Sequence, residues 1–190
     1  MRSLSILDRY GDTFPLILAD MKRYNNRIKI KDENIAEHSF FVAYNIIKIG
    51  YDYKLPSDVV NEAVSMAIVH DYPEVFTSDI PHDCKQSHPE LRSILVKVER
   101  EFLEEQMPEL LDRYDKLNDK SSLATLLVEL GDAISVLQYS NREISLGNDT
   151  EDIRIIHNEV CSRVTKLFTK LDEMRSKDFL TSGISTDPNY

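Results

Sequence analysis

Apolar residues recur along this chain three and four positions apart, the period of a helix packed on one side, and no stretch alternates long enough to suggest a strand. Thr13 and Pro15 open a first short helix over about 13–22. Asn34, with Glu37 three residues on, forms a capping-box pattern that starts a second helix through HSFFVAYNIIKI, and Gly50 is its expected stop. Pro56 and Ser57 open a third, VVNEAVSMAIVH, ending near His70. Its apolar residues, from Val59 to Val69, cover more than one face, which predicts a central position. Pro81 and Pro89 bracket PHDCKQSHP, expected to be a loop, ahead of helices over about 89–106 and 108–116. The segment SSLATLLVELGDAISVLQYSNREISLGN reads as one long helix, capped by Ser121 or Ser122 and stopped by Gly147. A last helix over about 150–175 carries Ile153, Ile156, Val160, Val164, Leu167 and Leu171 at the same spacing, and the tail TSGISTDPNY is expected to fray. The pattern predicts an all-α bundle, a single domain over 1–180 with 181–190 as tail.

Composition narrows the compartment and the partners. The 190 residues are 42% hydrophobic and 29% charged, ordinary for a globular domain, with only five glycines. No run approaches the roughly 18 apolar residues of a membrane span. The stretch MRSLSILDRYGDTF lacks the apolar core and small-residue cleavage site of a secretory signal. Cys84 and Cys161 are isolated thiols without metal-ligand spacing. The expectation is a cytoplasmic protein without a membrane partner. A net charge of −10 argues against binding a nucleic-acid polymer. It leaves room for a small anion, because a local patch can oppose the overall sign. Such a patch exists in KRYNNRIKIK, where Lys22, Arg23, Arg27, Lys29 and Lys31 form either a solvated basic loop or a rim facing phosphate.

The stretch AIVHDYPEVFTSDIP sets His70, Asp71, Glu74 and Asp79 at the end of an apolar helix. Unpaired buried charge costs several kcal/mol, so something must compensate. His38, in the first turn of the second helix, and Asp132, in mid-helix beside Gly131, belong with them. Gly and Asp side by side oppose helix propensity, a local conflict that hints at a site. Any one of these residues alone reads as a cap or a satisfied core group. Together, two imidazoles and two carboxylates from three helices form a mixed N/O set suited to one divalent ion with open positions, Mn, Co, Fe or Mg.

The series His38, His70-Asp71, Asp132 resembles the H…HD…D signature of the HD-domain metal-dependent phosphohydrolases. ENIAEHS, HDYPEVFTSDIP and ELGDAIS are similar to the corresponding pieces of the YfbR-type 5′-deoxynucleotidases, in order over roughly 20–140. A second HD dipeptide, His82-Asp83, has no counterpart in that pattern and is expected at the surface. The resemblance implies a single HD-domain bundle with the metal site in its core. It implies metal binding by His38, His70, Asp71 and Asp132, and catalysis by Glu74 together with Asp71. It further implies an Arg23 contact to phosphate beside Tyr24, and Asp79 reading the sugar 3′-hydroxyl. Lys85 stands where the family tends to have lysine, against the plainer reading of a solvated loop residue; Thr77 is a further substrate-binding candidate that otherwise only caps or bonds locally.

The implied activity is removal of the 5′-phosphate from deoxyribonucleoside 5′-monophosphates by metal-activated water. Two alternatives stay open. One is a deoxynucleoside triphosphate triphosphohydrolase with the same site, releasing tripolyphosphate; the other is a helical binding protein without catalysis. The family often forms a homodimer, for which the C-terminal helix or the segment near 82–90 offers a surface.

Overall fold

The computed structural model describes residues 13–182. Among these, α1 spans Phe14–Asp20, α2 Ile35–Asp52, α3 Ser57–Val69 and α4 Glu74–Thr77. Further along, α5 spans His82–Ser87, α6 Pro89–Gln106, α7 Pro108–Lys116, α8 Leu123–Ser145 and α9 Glu151–Ser182. No strand forms among the described residues; an isolated antiparallel bridge joins Lys22 to Asn34. The all-α expectation holds. The frayed tail falls outside the described residues from 183 on, and 181–182 still belong to α9.

Side-chain caps set the starts of α2 and α8. The Asn34 side chain accepts from Glu37 N at 2.8 Å while Glu37 Oε2 accepts from Asn34 N at 3.2 Å, closing the capping box. Ser122, not Ser121, caps α8 by accepting from Thr125 N. Gly147 ends it at φ +95°, with Asn148 N returning to Glu143 O.

Gly50 is not a stop. The helix passes through it and ends in the same kind of motif with Lys54 in the left-handed position (φ 52°), where Leu55 N bonds back to Gly50 O. Gly50 is needed for packing, since a Cβ there would sit 2.5 Å from Val60 Cγ2. Gly131 answers the same demand, because a Cβ would lie 2.8 Å from the Val42 carbonyl oxygen where α8 crosses α2. PHDCKQSHP is mostly helix rather than loop, since Pro81 and Pro89 stand where helices begin.

The most buried element is α8, which packs on α2, α3 and α9; α3 leaves Ile68 57% exposed. One core joins Val42, Ile46 and Ile49 of α2, Met66 and Ala67 of α3, Leu126, Leu127 and Leu130 of α8 and Leu171 of α9. A second gathers Leu18, Ile35, Val69, Tyr72, Phe102, Leu103 and Tyr114. His38 lies between Ile35 of the second core and Val42 of the first, and His70 between Ala67 and Tyr72. Polar groups therefore occupy the seam between two apolar masses.

Candidate active site

At this seam the ring of His38, fully buried in the first turn of α2, lies 5.3 Å from that of His70 at the C-cap of α3. Asp71 Oδ2 approaches His70 Nε2 at 3.2 Å and His38 Nε2 at 3.5 Å, and Asp132 Oδ1 lies 3.4 Å from His38 Nε2. Donor atoms of His38, His70 and Asp132 all fall within 4.8 Å of one another. The other ring nitrogens are anchored, His70 Nδ1 donating to the Ala67 carbonyl at 2.7 Å and His38 Nδ1 meeting Ser135 Oγ at 3.0 Å. With Nδ1 bearing the proton, each Nε2 presents a lone pair. Both Nε2 atoms are buried without a hydrogen-bond partner.

Orphaned buried nitrogens are rare and need an explanation. Two imidazole lone pairs set close together beside two carboxylates fit a divalent cation. Protonation states agree with this. Burial, then the Arg23 charge, push His38 down to about 4, so it is neutral near pH 7 as a ligand must be. Asp71 and Asp132 stay ionised although burial opposes it. His70, His38 and Arg23 hold Asp71 below its ordinary value, and the His38 contact and the Arg163 guanidinium do the same for Asp132.

A cavity of about 320 Å³ opens over this cluster, its wall including Arg23, Tyr24, His70, Asp71, Glu74, Asp79, Lys85, Asp132 and Arg163. Glu74 is buried, and burial together with the Asp71 charge pushes its carboxyl up to about 8, although Lys85 Nζ donates to its Oε1 at 3.0 Å. Arg23 donates to Glu33 Oε2 at 2.7 Å; burial opposes its charge, but Tyr24, Glu33 and Asp71 outweigh that and raise its pKa. Tyr24 sits at φ 58°, its ring stacked on Tyr139 at 4.3 Å and its buried hydroxyl unpartnered, and burial pushes that hydroxyl up to about 12. Asp79 Oδ2 accepts from Tyr24 N at 3.3 Å.

Not every candidate faces this space. Thr77 is absent from the lining, its Oγ1 donating to Glu99 Oε1 at 3.3 Å. Of the basic segment, Arg23 and Arg27 line the cavity, while Lys22 and Lys29 pair with Asp32 outside it. Arg27 is tied to Asp83, 61% exposed at the cavity mouth, and to Asp152.

Sequence reading missed Ser135, Glu33 and Tyr139, which support His38, Arg23 and Tyr24, and it missed Arg163. Only Arg163 carried a readable signal: it falls three residues after Val160 and seven after Ile156, a charge on an otherwise apolar stripe.

The helical arrangement is shared with solved structures. An HD-domain phosphohydrolase from Listeria innocua superposes with a TM-score of 0.68 at 23% identity, covering 92% of this chain and 86% of its own. A cyanophage S-2L HD phosphohydrolase, DatZ, solved with dA and one catalytic Zn2+ ion, superposes with a TM-score of 0.62 at 18% identity over 93% and 99% of the two chains. The fold is thus the one these HD-domain phosphohydrolases share.

Within it, the family model for 5′-deoxynucleotidase YfbR-like proteins matches residues 16–183, and the chain belongs to that family of hydrolases. A 5′-deoxynucleotidase of Vibrio cholerae is 30% identical over 63% of this chain and 66% of its own length. Another, from Erwinia tasmaniensis, is 27% identical over 78% and 76%.

Proposed function

We propose that this protein hydrolyses deoxyribonucleoside 5′-monophosphates to nucleoside and orthophosphate, using one divalent ion held by His38, His70, Asp71 and Asp132. One observation carries the reading: a single cavity joins the orphaned imidazole nitrogen of His70, backed by that of the buried His38, to a charged arginine and a glutamic acid whose pKa is about 8. A divalent ion held by these residues would supply Lewis-acid charge for phosphoryl transfer and for activating water.

The chain's own residues do the rest. Arg23 presents a planar fork to the phosphoryl oxygens, its orientation set by Glu33. Glu74, protonated near neutral pH, donates its proton to the departing 5′-oxygen, while Lys85 occupies its other oxygen. Asp79 keeps Oδ1 available for the sugar 3′-hydroxyl because Oδ2 is taken by Tyr24 N. The stacked pair Tyr24–Tyr139 walls the cavity.

The N/O donor set suits Mn, Co, Fe or Mg, and the Zn2+ bound by the cyanophage neighbour is a reason to test zinc beside them. No described helix is long and apolar enough to cross a membrane, and with the two unpaired thiols this supports a cytoplasmic enzyme. A homodimer is supported by a stripe on α2, Phe40, Tyr44, Ile47 and Tyr51, exposed by 53–83% at helical spacing. Tyr44→Glu should halve the mass measured by light scattering.

The deciding experiment is product analysis after loading with each metal, on ribo- and deoxyribonucleoside mono- and triphosphates. Orthophosphate from deoxymonophosphates is the expected result. Tripolyphosphate from deoxytriphosphates would keep the site and move the scissile bond; no hydrolysis with any metal would leave a binding protein.

A further inference from the structure

Asp132 has two oxygens and two different neighbours. Oδ1 faces the ligand cluster, 3.4 Å from His38 Nε2. Oδ2 is taken by Arg163, whose Nη2 donates to it at 3.0 Å. Arg163 reaches in from α9 and lines the same cavity as His70, Asp71 and Glu74.

We propose that Arg163 is a positioning residue for the metal: by holding Oδ2 it presents Asp132 as a one-oxygen ligand and so sets which ions the centre accepts. The proposal rests on the metal centre described above and assigns a role to a residue outside its ligands.

Two physical points favour it over a plain ion pair. The Arg163 side chain is 41% exposed, and water on its side of the pair screens the contact and limits what it adds to stability. A cation beside a metal site also repels the metal. An arginine that served only as a charge would weaken binding, and selection for metal affinity would disfavour it there. The penalty is offset if the guanidinium N–H on Oδ2 removes the freedom of the carboxylate to turn both oxygens inward. That freedom matters most for large, flexible cations. Ca2+ takes carboxylates with two oxygens readily, whereas smaller ions of tighter geometry are satisfied by one.

The two accounts predict opposite signs. With Arg163→Gln, a purely electrostatic role gives tighter metal binding, because a like charge has gone. A positioning role gives weaker binding, by about tenfold to a hundredfold, as when residues that orient metal ligands are lost elsewhere.

The test is calorimetric titration of the metal-free protein with Mn2+ and with Ca2+, for wild type, Arg163→Gln and Arg163→Lys, alongside metal-free thermal melts. Expected are weaker Mn2+ binding in Arg163→Gln, a narrower preference for Mn2+ over Ca2+, and weaker Mn2+ binding in Arg163→Lys as well, which keeps the repelling charge without the planar guanidinium. If Arg163→Gln melts early, Arg163→Lys carries the comparison alone. Mn2+ affinity unchanged or tighter would overturn the proposal. So would a raised nucleotide KM at unchanged Mn2+ affinity, which would make Arg163 a phosphate contact. A wild type that binds none of Mn2+, Co2+ and Zn2+ would overturn the metal centre and this proposal together. Binding by the wild type that is equal in the variants overturns this proposal alone.

Discussion

His38, His70 and Asp132 hang from or directly follow three helices whose other faces form the main apolar core, whereas Arg23, Tyr24, Asp79 and Lys85 come from joining segments and the six-residue α5. The first wall of the cavity inherits its geometry from close packing, such as Gly131 against Val42 one residue from Asp132. Side chains seated in a close-packed interior move little. The second wall is held by polar ties: Arg23 to Glu33, Tyr24 N to Asp79, and the backbone N–H groups of Ile30 and Lys31 to the buried Glu143 carboxylate. A fixed ion needs the first kind of support. A substrate that enters and leaves suits the second.

The largest effect should come from breaking the first wall. Asp132→Ala removes a proposed ligand and should abolish metal content and hydrolysis together, checked by elemental analysis and phosphate release; metal stoichiometry that survives would remove Asp132 from the centre. Glu74→Gln should keep the metal but lower kcat by about 10²–10⁴, the usual worth of a general acid.

The same change has a pH signature. A folded pKa of about 8 lies above the ordinary glutamate value of about 4.3, so Glu74 favours folding most at low pH and that contribution is lost as pH rises through 8. Metal-free Glu74→Gln should therefore melt higher than metal-free wild type near pH 8, and the gap should close towards pH 4.

Changes in the second wall should spare the metal. Arg23→Lys keeps a charge but loses the fork, and kcat/KM should fall about tenfold to a hundredfold, the range of one to two charge-assisted hydrogen bonds, with metal affinity unchanged. Glu143→Gln is smaller still in catalysis. Its carboxylate accepts from Ile30 N, Lys31 N and Asn148 Nδ2, so its loss should cost about 2 kcal/mol of stability and raise KM without touching metal binding. Burial opposes the Glu143 charge, but the bonds from Asn148, Ile30 and Lys31 bring its pKa below the ordinary value. That stabilisation is present above about pH 4.3 and disappears as pH falls through the lower folded value, so the variant should show a flatter acid limb in urea melts. Thr77→Val, at a hydroxyl bonded to Glu99 away from the cavity, should leave KM and kcat unchanged; a shifted KM would place Thr77 back against substrate.

The difference between the walls also decides what could be read beforehand. The first wall was legible because each proposed ligand occupies a helix position with a local anomaly: His38 in a capped first turn, His70-Asp71 at a helix end, and Asp132 beside a glycine. Misjudged elements failed for local reasons too. Pro81 and Pro89 signal helix starts as well as loops, and Gly50 serves close packing on Val60 and not termination. The supporting residues were silent. Nothing near Ser135 marks it as the partner of His38, which lies 97 positions away, nor Glu143 as the anchor of Ile30, 113 positions away.

The sequence by itself determined the long helices, the capping box at Asn34, the all-α class and the donor types, because period, capping and ligand chemistry are properties of neighbouring residues. Tertiary structure alone decided that two imidazole nitrogens are left without partners, that Glu74 keeps its proton near neutral pH, and that Arg163 holds one oxygen of Asp132. Burial and charge proximity act through space, between side chains whose separation along the chain carries no information about their distance.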